Sequence, residues 1–174
     1  FADTDIFAKA PARLTAAGVS DILGKYIALA DWKIASILMN EYYCTEVVNL
    51  ETKAIRTVKD NLKEIAAGEK DACEKLMYAL ILSGLAMQMT GNSRPASGAE
   101  HHMVHLWDME VVNGHLNALH GEKVSAATML VLLEYKKLAD AIRRGTCRVH
   151  AFADGDRELL QETFGRKGIL GALE

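Results

Sequence analysis

Proline is scarce in this chain, and that scarcity constrains the fold more than any other feature of the sequence. Only 2 prolines, Pro11 and Pro95, occur in 174 residues. Because proline breaks the hydrogen-bond ladder of a helix interior, long helices can run here without interruption. Glycines and short polar residues divide the rest into helix-sized segments. We predict an all-α protein, a multi-helix bundle of six or seven helices, with no strand ladder and no internal repeat.

Capping residues predict where the individual helices begin and end. The segment 1–7 is compatible with a strand or an extended lead-in, and Pro11 suits the first turn of a helix. Gly18–Ser20 predicts a break, and the almost wholly apolar segment Leu76–Met89 is typical of a buried central helix. Helices are predicted at 14–17, 21–39, 50–67 after an Asn49 cap, 72–90 with an Asp71/Glu74 capping pattern, 98–112 with a Ser97/Glu100 capping box, 121–144 and 156–164.

The overall composition excludes several classes of protein. Hydrophobic residues make up 50% of the chain and charged residues 25%, which is typical of a globular domain with its own core. The net charge of −3 argues against binding to a nucleic-acid backbone. No segment has the roughly 18 uninterrupted apolar residues of a membrane span, and we expect neither a membrane span nor a secretory leader. The 3 cysteines form no CxxC pair, so we expect a reducing, cytoplasmic environment.

Histidines are concentrated in one short segment, and this cluster is the strongest chemical signal in the chain. The chain has 6 histidines, and five of them fall between positions 101 and 120. A single histidine is more often a surface or core residue than a ligand. A group of five reverses that expectation, because neutral imidazole is the commonest metal ligand in proteins. The members of the cluster are His101, His102, His105, His115 and His120.

Helical spacing separates the members of the cluster. His101 and His105 are four residues apart and share a helix face, which Asp108 joins one turn later. His102 points about 100° away from that face, so we predict a core residue or a group behind the ligands. The pattern of two histidines flanking a helical glutamate, typical of zinc proteases, is absent, since Glu100 precedes His101.

A second helix and a carboxylate would complete a metal site. His120 precedes Gly121 at the start of the next predicted helix, whereas His115 lies in a connector and is predicted to be structural. Two histidines and one carboxylate leave an open position on a divalent metal, as a catalytic site requires. Four carboxylates compete for this place on composition alone: Asp21, Asp31, Asp108 and Glu110.

Three segments resemble one enzyme family. They are SRPASGAEHH at 93–102 with His105 and Trp107 following, HGEKV at 120–124, and AAGVSD at 16–21 with the Lys25-Tyr26 and Asp31-Trp32 pairs following. Together they resemble the sn-glycerol-1-phosphate dehydrogenase family, in the branch with the AraM-type proteins. That family lies within the superfamily of iron-containing alcohol dehydrogenases, glycerol dehydrogenases and dehydroquinate synthases. The resemblance covers roughly residues 1–133, and the segment 93–105 is its most specific part.

The resemblance implies a role for each of several residues. The metal ligands of the family fall on Asp21, His101 and His120, and Asp21 also contacts the substrate. The substrate-contacting histidine falls on His105, which is therefore the predicted catalytic residue. Either Arg94 or Lys123 is expected to bind the substrate phosphate.

The implied activity is reduction of dihydroxyacetone phosphate to sn-glycerol 1-phosphate with NAD(P), a step of phospholipid metabolism. One divalent metal is expected, and zinc, nickel and iron all suit the ligand set. The expected partner is a small phosphorylated triose or polyol, and a homo-oligomer is compatible with the sequence.

The nucleotide-binding part of the family has no counterpart here. The family places an αβ domain before its helical domain, and the glycine-rich phosphate loop of that domain is missing from this sequence. We therefore expect residues 1–174 to form a single helical metal- and substrate-binding domain. We expect it to be a piece without the N-terminal domain and without part of the C-terminus, and to be inactive when isolated.

Two alternative functions remain open on the sequence. One is a glycerol or other polyol dehydrogenase of the same superfamily, distinguished by whether the substrate needs a phosphate. The other is a non-catalytic helical module that binds a metal or a partner.

Overall fold

The computed structural model describes residues 2–108, 117–148 and 158, and these residues form seven α-helices. The all-α prediction is confirmed, and the described residues contain no strand. No described helix is both long enough and apolar enough to cross a bilayer. The helices are α1 (Thr4–Ala8), α2 (Ala12–Met39), α3 (Thr45–Asp60), α4 (Leu62–Ala66), α5 (Lys70–Thr90), α6 (Ala99–Asp108) and α7 (His120–Arg143).

The chain divides into two compact units. The first consists of residues 1–104 and 118–132, and the second of residues 105–117 and 133–174. The first unit contains α1 to α5, the start of α6 and the first half of α7. All three predicted metal ligands belong to this first unit.

The core of the first unit lies where α2, α3 and α5 pack together. Trp32 of α2 is fully buried, and its indole N–H donates a 2.7 Å hydrogen bond to the carbonyl of Tyr42. A buried indole needs such a partner, because an unpaired donor in the interior is costly. Ile22 on α2, Ile55 on α3 and Leu76 on α5 fill the same cluster. This core sets the position of α2, which carries Asp21.

The prediction for the N-terminal part of the chain was wrong in two places. Residues 4–8 are helical, because the carboxylate of Asp3 accepts hydrogen bonds from the backbone N–H groups of Asp5 and Ile6. The break predicted at 18–20 does not exist, since α2 is continuous from Ala12 to Met39. A methyl group at Gly18 would lie in ordinary contact with Leu80 of α5, so packing holds this segment helical.

Three helix starts and one burial prediction also need correction. Helix α3 begins at Thr45, so Asn49 lies inside it, and α5 begins at Lys70. The Ser97/Glu100 capping box does not form, because the N–H of Ser97 donates to the carbonyl of Ser93 and Glu100 accepts the N–H of Gly98. Asp31 accepts the N–H of Ala99 at 2.7 Å. Helix α5 is not buried all round: Tyr78, Ile81, Leu85 and Met89 are exposed on the face opposite its buried residues.

Glycines mark the helix ends that the sequence predicted best. Gly68, Gly91 and Gly145 have φ values of +75°, +68° and +66°, a conformation that stops a helix and favours glycine. Helix α7 matches its prediction to within one residue at each end. The helix predicted at 156–164 lies outside the described residues, apart from Glu158.

Candidate metal centre

Three helices bring Asp21, His101 and His120 together. Asp21 lies on α2, His101 on α6, and His120 is the first residue of α7. Nε2 of His101 lies 3.4 Å from Oδ1 of Asp21, and Nε2 of His120 lies 3.8 Å from the same oxygen. One donor atom from each residue can be chosen so that all lie within 4.8 Å of one another. Residues that are 80 and 99 positions apart in the sequence therefore form one group.

The spacing and chemistry of these donors fit a divalent metal. With metal–ligand bonds of about 2.1 Å, the ligand atoms of a tetrahedral site stand about 3.4 Å apart. The two distances to Oδ1 are close to that value. Two imidazoles and one carboxylate leave a further position for water or substrate. Asp31 and Asp108, which rivalled Asp21 on composition, are not members of this group.

His101 is held in place by the residue before it. Its Nδ1 lies 2.7 Å from Oε1 of Glu100, whose side chain is fully buried. The same oxygen accepts the N–H of Gly98 at 3.1 Å. A carboxylate on the far nitrogen of a ligating histidine fixes the ring and its tautomer, and leaves the other nitrogen free to bind metal. Glu100 therefore directs Nε2 of His101 towards Asp21.

His120 is placed by the way α7 begins. Oε2 of Glu122 accepts the N–H of Leu119 at 2.8 Å, and the Glu122 carboxylate pairs with Arg13 through two bonds of 2.6 and 2.7 Å. The hydrogen bond from Arg13 and the backbone N–H of Leu119 lower the pKa of Glu122 to about 2. Gly121 lies against the backbone of Ala17 on α2. These contacts join the first turn of α7 to the helix that carries Asp21.

Asp21 and His101 carry opposite charges. Burial alone would raise the pKa of Asp21, but a hydrogen bond to His101 and the charge of Lys25 outweigh it and lower this pKa to about 2. Burial would likewise lower the pKa of His101, but hydrogen bonds to Asp21 and Glu100 raise it to about 9. A metal ion that bound His101 would therefore displace a proton from it.

Two buried titratable residues were missed by the sequence reasoning. Lys25 is only 3% exposed, and its Nζ lies 3.1 Å from Oδ2 of Asp21. Glu51 on α3 is 0% exposed. Burial raises the pKa of Glu51, while the hydroxyl of Ser83 and the charge of Lys25 act in the opposite direction. The four-residue spacing of Asp21 and Lys25 is a signal for their contact, whereas no sequence pattern links Glu51 to either.

The predicted substrate-binding residues other than Asp21 differ in their contacts and in their exposure to solvent. Arg94 forms a two-point ion pair with Glu41, with both N–O distances 2.7 Å. Lys123 is partly exposed on α7, three residues after His120. His105 is exposed on α6, four residues after His101, and belongs to the second unit.

The other two histidines of the cluster are His102, which the structure describes, and His115, which it does not. His102 is exposed, so its prediction as a core residue or a group behind the ligands is wrong. The helical offset of about 100° from His101 is the reason, since it turns His102 from the buried side of α6 towards solvent. His115 and the rival carboxylate Glu110 lie outside the described residues.

Comparison with curated proteins finds several relatives that share one name. The chain is 43% identical over 140 residues to a glycerol-1-phosphate dehydrogenase (NAD(P)+) of Halalkalibacterium halodurans, covering 80% of this chain and 35% of the relative. It is 41% identical over 139 residues to the enzyme of that name from Geobacillus thermodenitrificans, covering 79% and 34%. For the Staphylothermus marinus enzyme of that name, identity is 41% over 134 residues, covering 77% and 37%. The chain spans about a third of the length of these relatives. No family model matches it.

Proposed function

We propose that this chain belongs to the glycerol-1-phosphate dehydrogenase family, the name that its relatives share, and that it forms the helical, metal-binding part of an enzyme of that activity. The proposed reaction interconverts dihydroxyacetone phosphate and sn-glycerol 1-phosphate with NAD(P). The observation that carries the proposal is the group of Asp21, His101 and His120, whose donor atoms lie within 4.8 Å of one another. Its ligand set suits a dehydrogenase that needs a divalent metal. The nicotinamide is bound by parts of the enzyme outside this chain.

Each ligand has a distinct part in this proposal. A divalent ion bound here would stabilise the negative charge that builds on the substrate oxygen as hydride reaches the carbonyl carbon. Asp21 supplies one negative charge, so a bound divalent ion retains net positive charge towards the substrate. His101 is buried, whereas the side chain of His120 is 46% exposed, so the open side of the group lies next to His120. Zinc, nickel and iron all suit two imidazoles and one carboxylate.

His105 is the proposed proton-transfer and substrate-contacting residue. Imidazole titrates near neutral pH, which suits a group that exchanges a proton with the substrate hydroxyl. Its exposed position on α6 makes it accessible to a substrate. Asp21 is also proposed to contact the substrate.

Lys123 is a better candidate than Arg94 for binding the substrate phosphate. Residues three apart lie on neighbouring positions of one helix face, which places Lys123 on the same side of α7 as His120. We therefore assign the substrate phosphate to Lys123, on the side of α7 that carries a proposed metal ligand. Arg94 forms a two-point ion pair with Glu41, to which we assign a structural role.

The test is an assay of the natural full-length protein that contains this chain. Dihydroxyacetone phosphate reduction by NADH and NADPH is compared with glycerol oxidation in the wild type, Asp21→Asn, His120→Ala and the exposed control His102→Ala. We expect phosphate-dependent activity in the wild type and in His102→Ala. Both ligand variants should lose more than about a hundredfold in kcat/KM, because the developing charge loses its partner. A preference for unphosphorylated glycerol, or full activity in Asp21→Asn, would contradict the proposal.

A further inference from the structure

Successive turns of α2 lie against successive residues of α7. Arg13, Ala17 and Asp21 follow one another at four-residue spacing, so they share one face of α2. The first three residues of α7 meet this face in the reverse order. The three pairs are Arg13–Glu122, Ala17–Gly121 and Asp21–His120. Since the last pair consists of two proposed metal ligands, the geometry of the metal centre depends on how α7 is aligned on α2.

The Arg13–Glu122 pair joins the two helices through a pair of short contacts. Nε of Arg13 lies 2.6 Å from Oε1 of Glu122, and Nη2 lies 2.7 Å from Oε2. A two-point pair of this kind fixes the relative orientation of the guanidinium and the carboxylate as well as their distance. The two residues are 109 positions apart in the sequence. The pair therefore links α2 directly to the start of α7.

The same carboxylate also shapes the first turn of α7. Oε2 of Glu122 accepts the backbone N–H of Leu119 at 2.8 Å. The carbonyl of Leu119 in turn accepts the N–H groups of Glu122 and Lys123, at 3.0 and 3.1 Å. A glutamate at the third position of a helix often closes the start of that helix in this way. Glu122 thus holds the residue directly before His120 while it binds Arg13.

Stability alone does not account for this arrangement. The side chains of Arg13 and Glu122 are 54% and 35% exposed, and exposed ion pairs contribute little to the free energy of unfolding. The position of the first turn matters more for His120. Its side chain is 46% exposed, so packing confines it less than that of His101, which is 9% exposed. The placement of His120 therefore depends on the backbone that carries it.

We propose that Arg13 and Glu122 are positioning residues of the metal centre. The contact of Gly121 with α2 limits how closely the two helices approach, and the two-point pair fixes the orientation of the first turn of α7. Together they set the separation between His120 and Asp21. The proposal rests on the metal site of the proposed function, and it adds to that site an ion pair about two turns of α2 away from Asp21.

Loss of the pair should weaken metal binding without unfolding the chain. Glu122→Gln keeps the shape of the side chain and an oxygen for the Leu119 N–H, but it removes the charge that binds Arg13. The zinc dissociation constant should rise about tenfold, at the lower end of what groups that support metal ligands contribute. Arg13→Met should have a similar effect. The double variant should bind no more weakly than the more affected single variant, because both changes remove the same interaction.

The experiment measures zinc dissociation constants by competition with a chelator in the natural full-length protein that contains this chain. The variants are Glu122→Gln, Arg13→Met and the double variant. The control is Glu134→Gln, which removes another ion-paired carboxylate of α7, 2.7 Å from Lys137, and should bind zinc like the wild type. Urea unfolding of each metal-free variant should give the wild-type midpoint.

Several results would overturn the proposal. They are wild-type zinc affinity in either single variant, additive losses in the double variant, an equal loss in Glu134→Gln, and a loss explained by a lower unfolding midpoint. Arg13→Lys tests the geometry of the pair, because lysine keeps the positive charge but makes one point of contact instead of two. Zinc binding should stay weaker than in the wild type, and wild-type affinity in Arg13→Lys would contradict the role of the two-point pair.

His101→Ala distinguishes failure of this proposal from failure of the proposed function. If His101→Ala binds zinc like the wild type, the metal site itself is wrong. If His101→Ala loses zinc while Glu122→Gln and Arg13→Met keep the wild-type affinity, the site is right and the positioning role is wrong.

Discussion

Glu100 links the fold of α6 to the chemistry of the centre at the scale of single residues. Its buried carboxylate accepts the Gly98 N–H and holds Nδ1 of His101 at 2.7 Å. One side chain thus both organises the first turn of α6 and orients a proposed metal ligand. We therefore expect Glu100 to influence metal affinity without contacting the ion itself.

We expect Glu100→Gln to weaken metal binding by about tenfold to a hundredfold. The amide keeps the shape of the side chain but removes the charge that supports His101. Zinc competition titration measures the effect, with the exposed neighbour His102→Ala as the control. Equal zinc affinity in Glu100→Gln and the wild type would show that Glu100 does not support the ligand.

The raised pKa of His101 predicts how metal affinity depends on pH. Because this pKa is about 9, the imidazole carries a proton in the metal-free protein at neutral pH, and metal binding releases it. Affinity should therefore increase by about tenfold for each pH unit between pH 6 and 8. Asp21, with a pKa of about 2, stays ionised over this range and adds no further dependence. Zinc titrations at several pH values measure the slope, and an affinity that does not change with pH would contradict this charge assignment.

At the scale of helices, the close approach of α7 to α2 places His120 beside Asp21. A side chain at Gly121 would overlap the backbone carbonyl of Ala17, and backbone atoms in packed helices cannot move aside cheaply. By contrast, a methyl group at Gly84 of α5 would meet nothing within 4 Å. The two glycines make a matched pair, one required by packing and one not.

We expect opposite effects from alanine at these two positions. Gly121→Ala should destabilise the chain by about 1–3 kcal/mol and weaken zinc binding, since it pushes α7 away from α2. Gly84→Ala should leave zinc binding unchanged and stabilise α5 by about 0.5–1 kcal/mol, because alanine loses less backbone entropy in a helix. Urea unfolding and zinc titration measure both effects. Normal stability and zinc affinity in Gly121→Ala would contradict the close approach.

Local sequence signals predicted some helix boundaries and failed at others for a physical reason. Gly91 and Gly145 end their helices as expected, because a left-handed residue at a helix end is a local property. Gly18 gives a similar local signal, yet α2 continues through it because the segment packs against α5. Asp31 caps α6 from 68 residues away, and no local pattern encodes that contact. Tertiary packing decided these cases.

As with the helix boundaries, only part of the candidate site could be predicted from the sequence. A resemblance confined to short motifs was enough to predict the group of Asp21, His101 and His120. Neither spacing nor motif pointed to the burial of Glu51, because that burial arises only once α2, α3 and α5 pack together. The exposure of His102 was also missed, since helical spacing gives an angle and not the identity of the buried side.

At the scale of the whole molecule, a metal bound to three helices should stabilise the folded chain. The ligands meet only when α2, α6 and α7 are in place, so a metal binds the folded state in preference to the unfolded one. With free zinc at 100 times its dissociation constant, the gain should be about 2.7 kcal/mol. Chemical unfolding with and without zinc measures it. The same gain in Asp21→Asn would show that zinc binds elsewhere.

The most direct test of the central claim is the metal content of the purified chain. Elemental analysis, followed by removal of metal and titration with zinc and nickel, gives the number of ions bound per chain. One equivalent is expected in the wild type and in His102→Ala. Asp21→Asn, His101→Ala and His120→Ala should each lose it. Metal retained in all three ligand variants, or no binding by the folded wild type, would contradict the assignment of this metal centre.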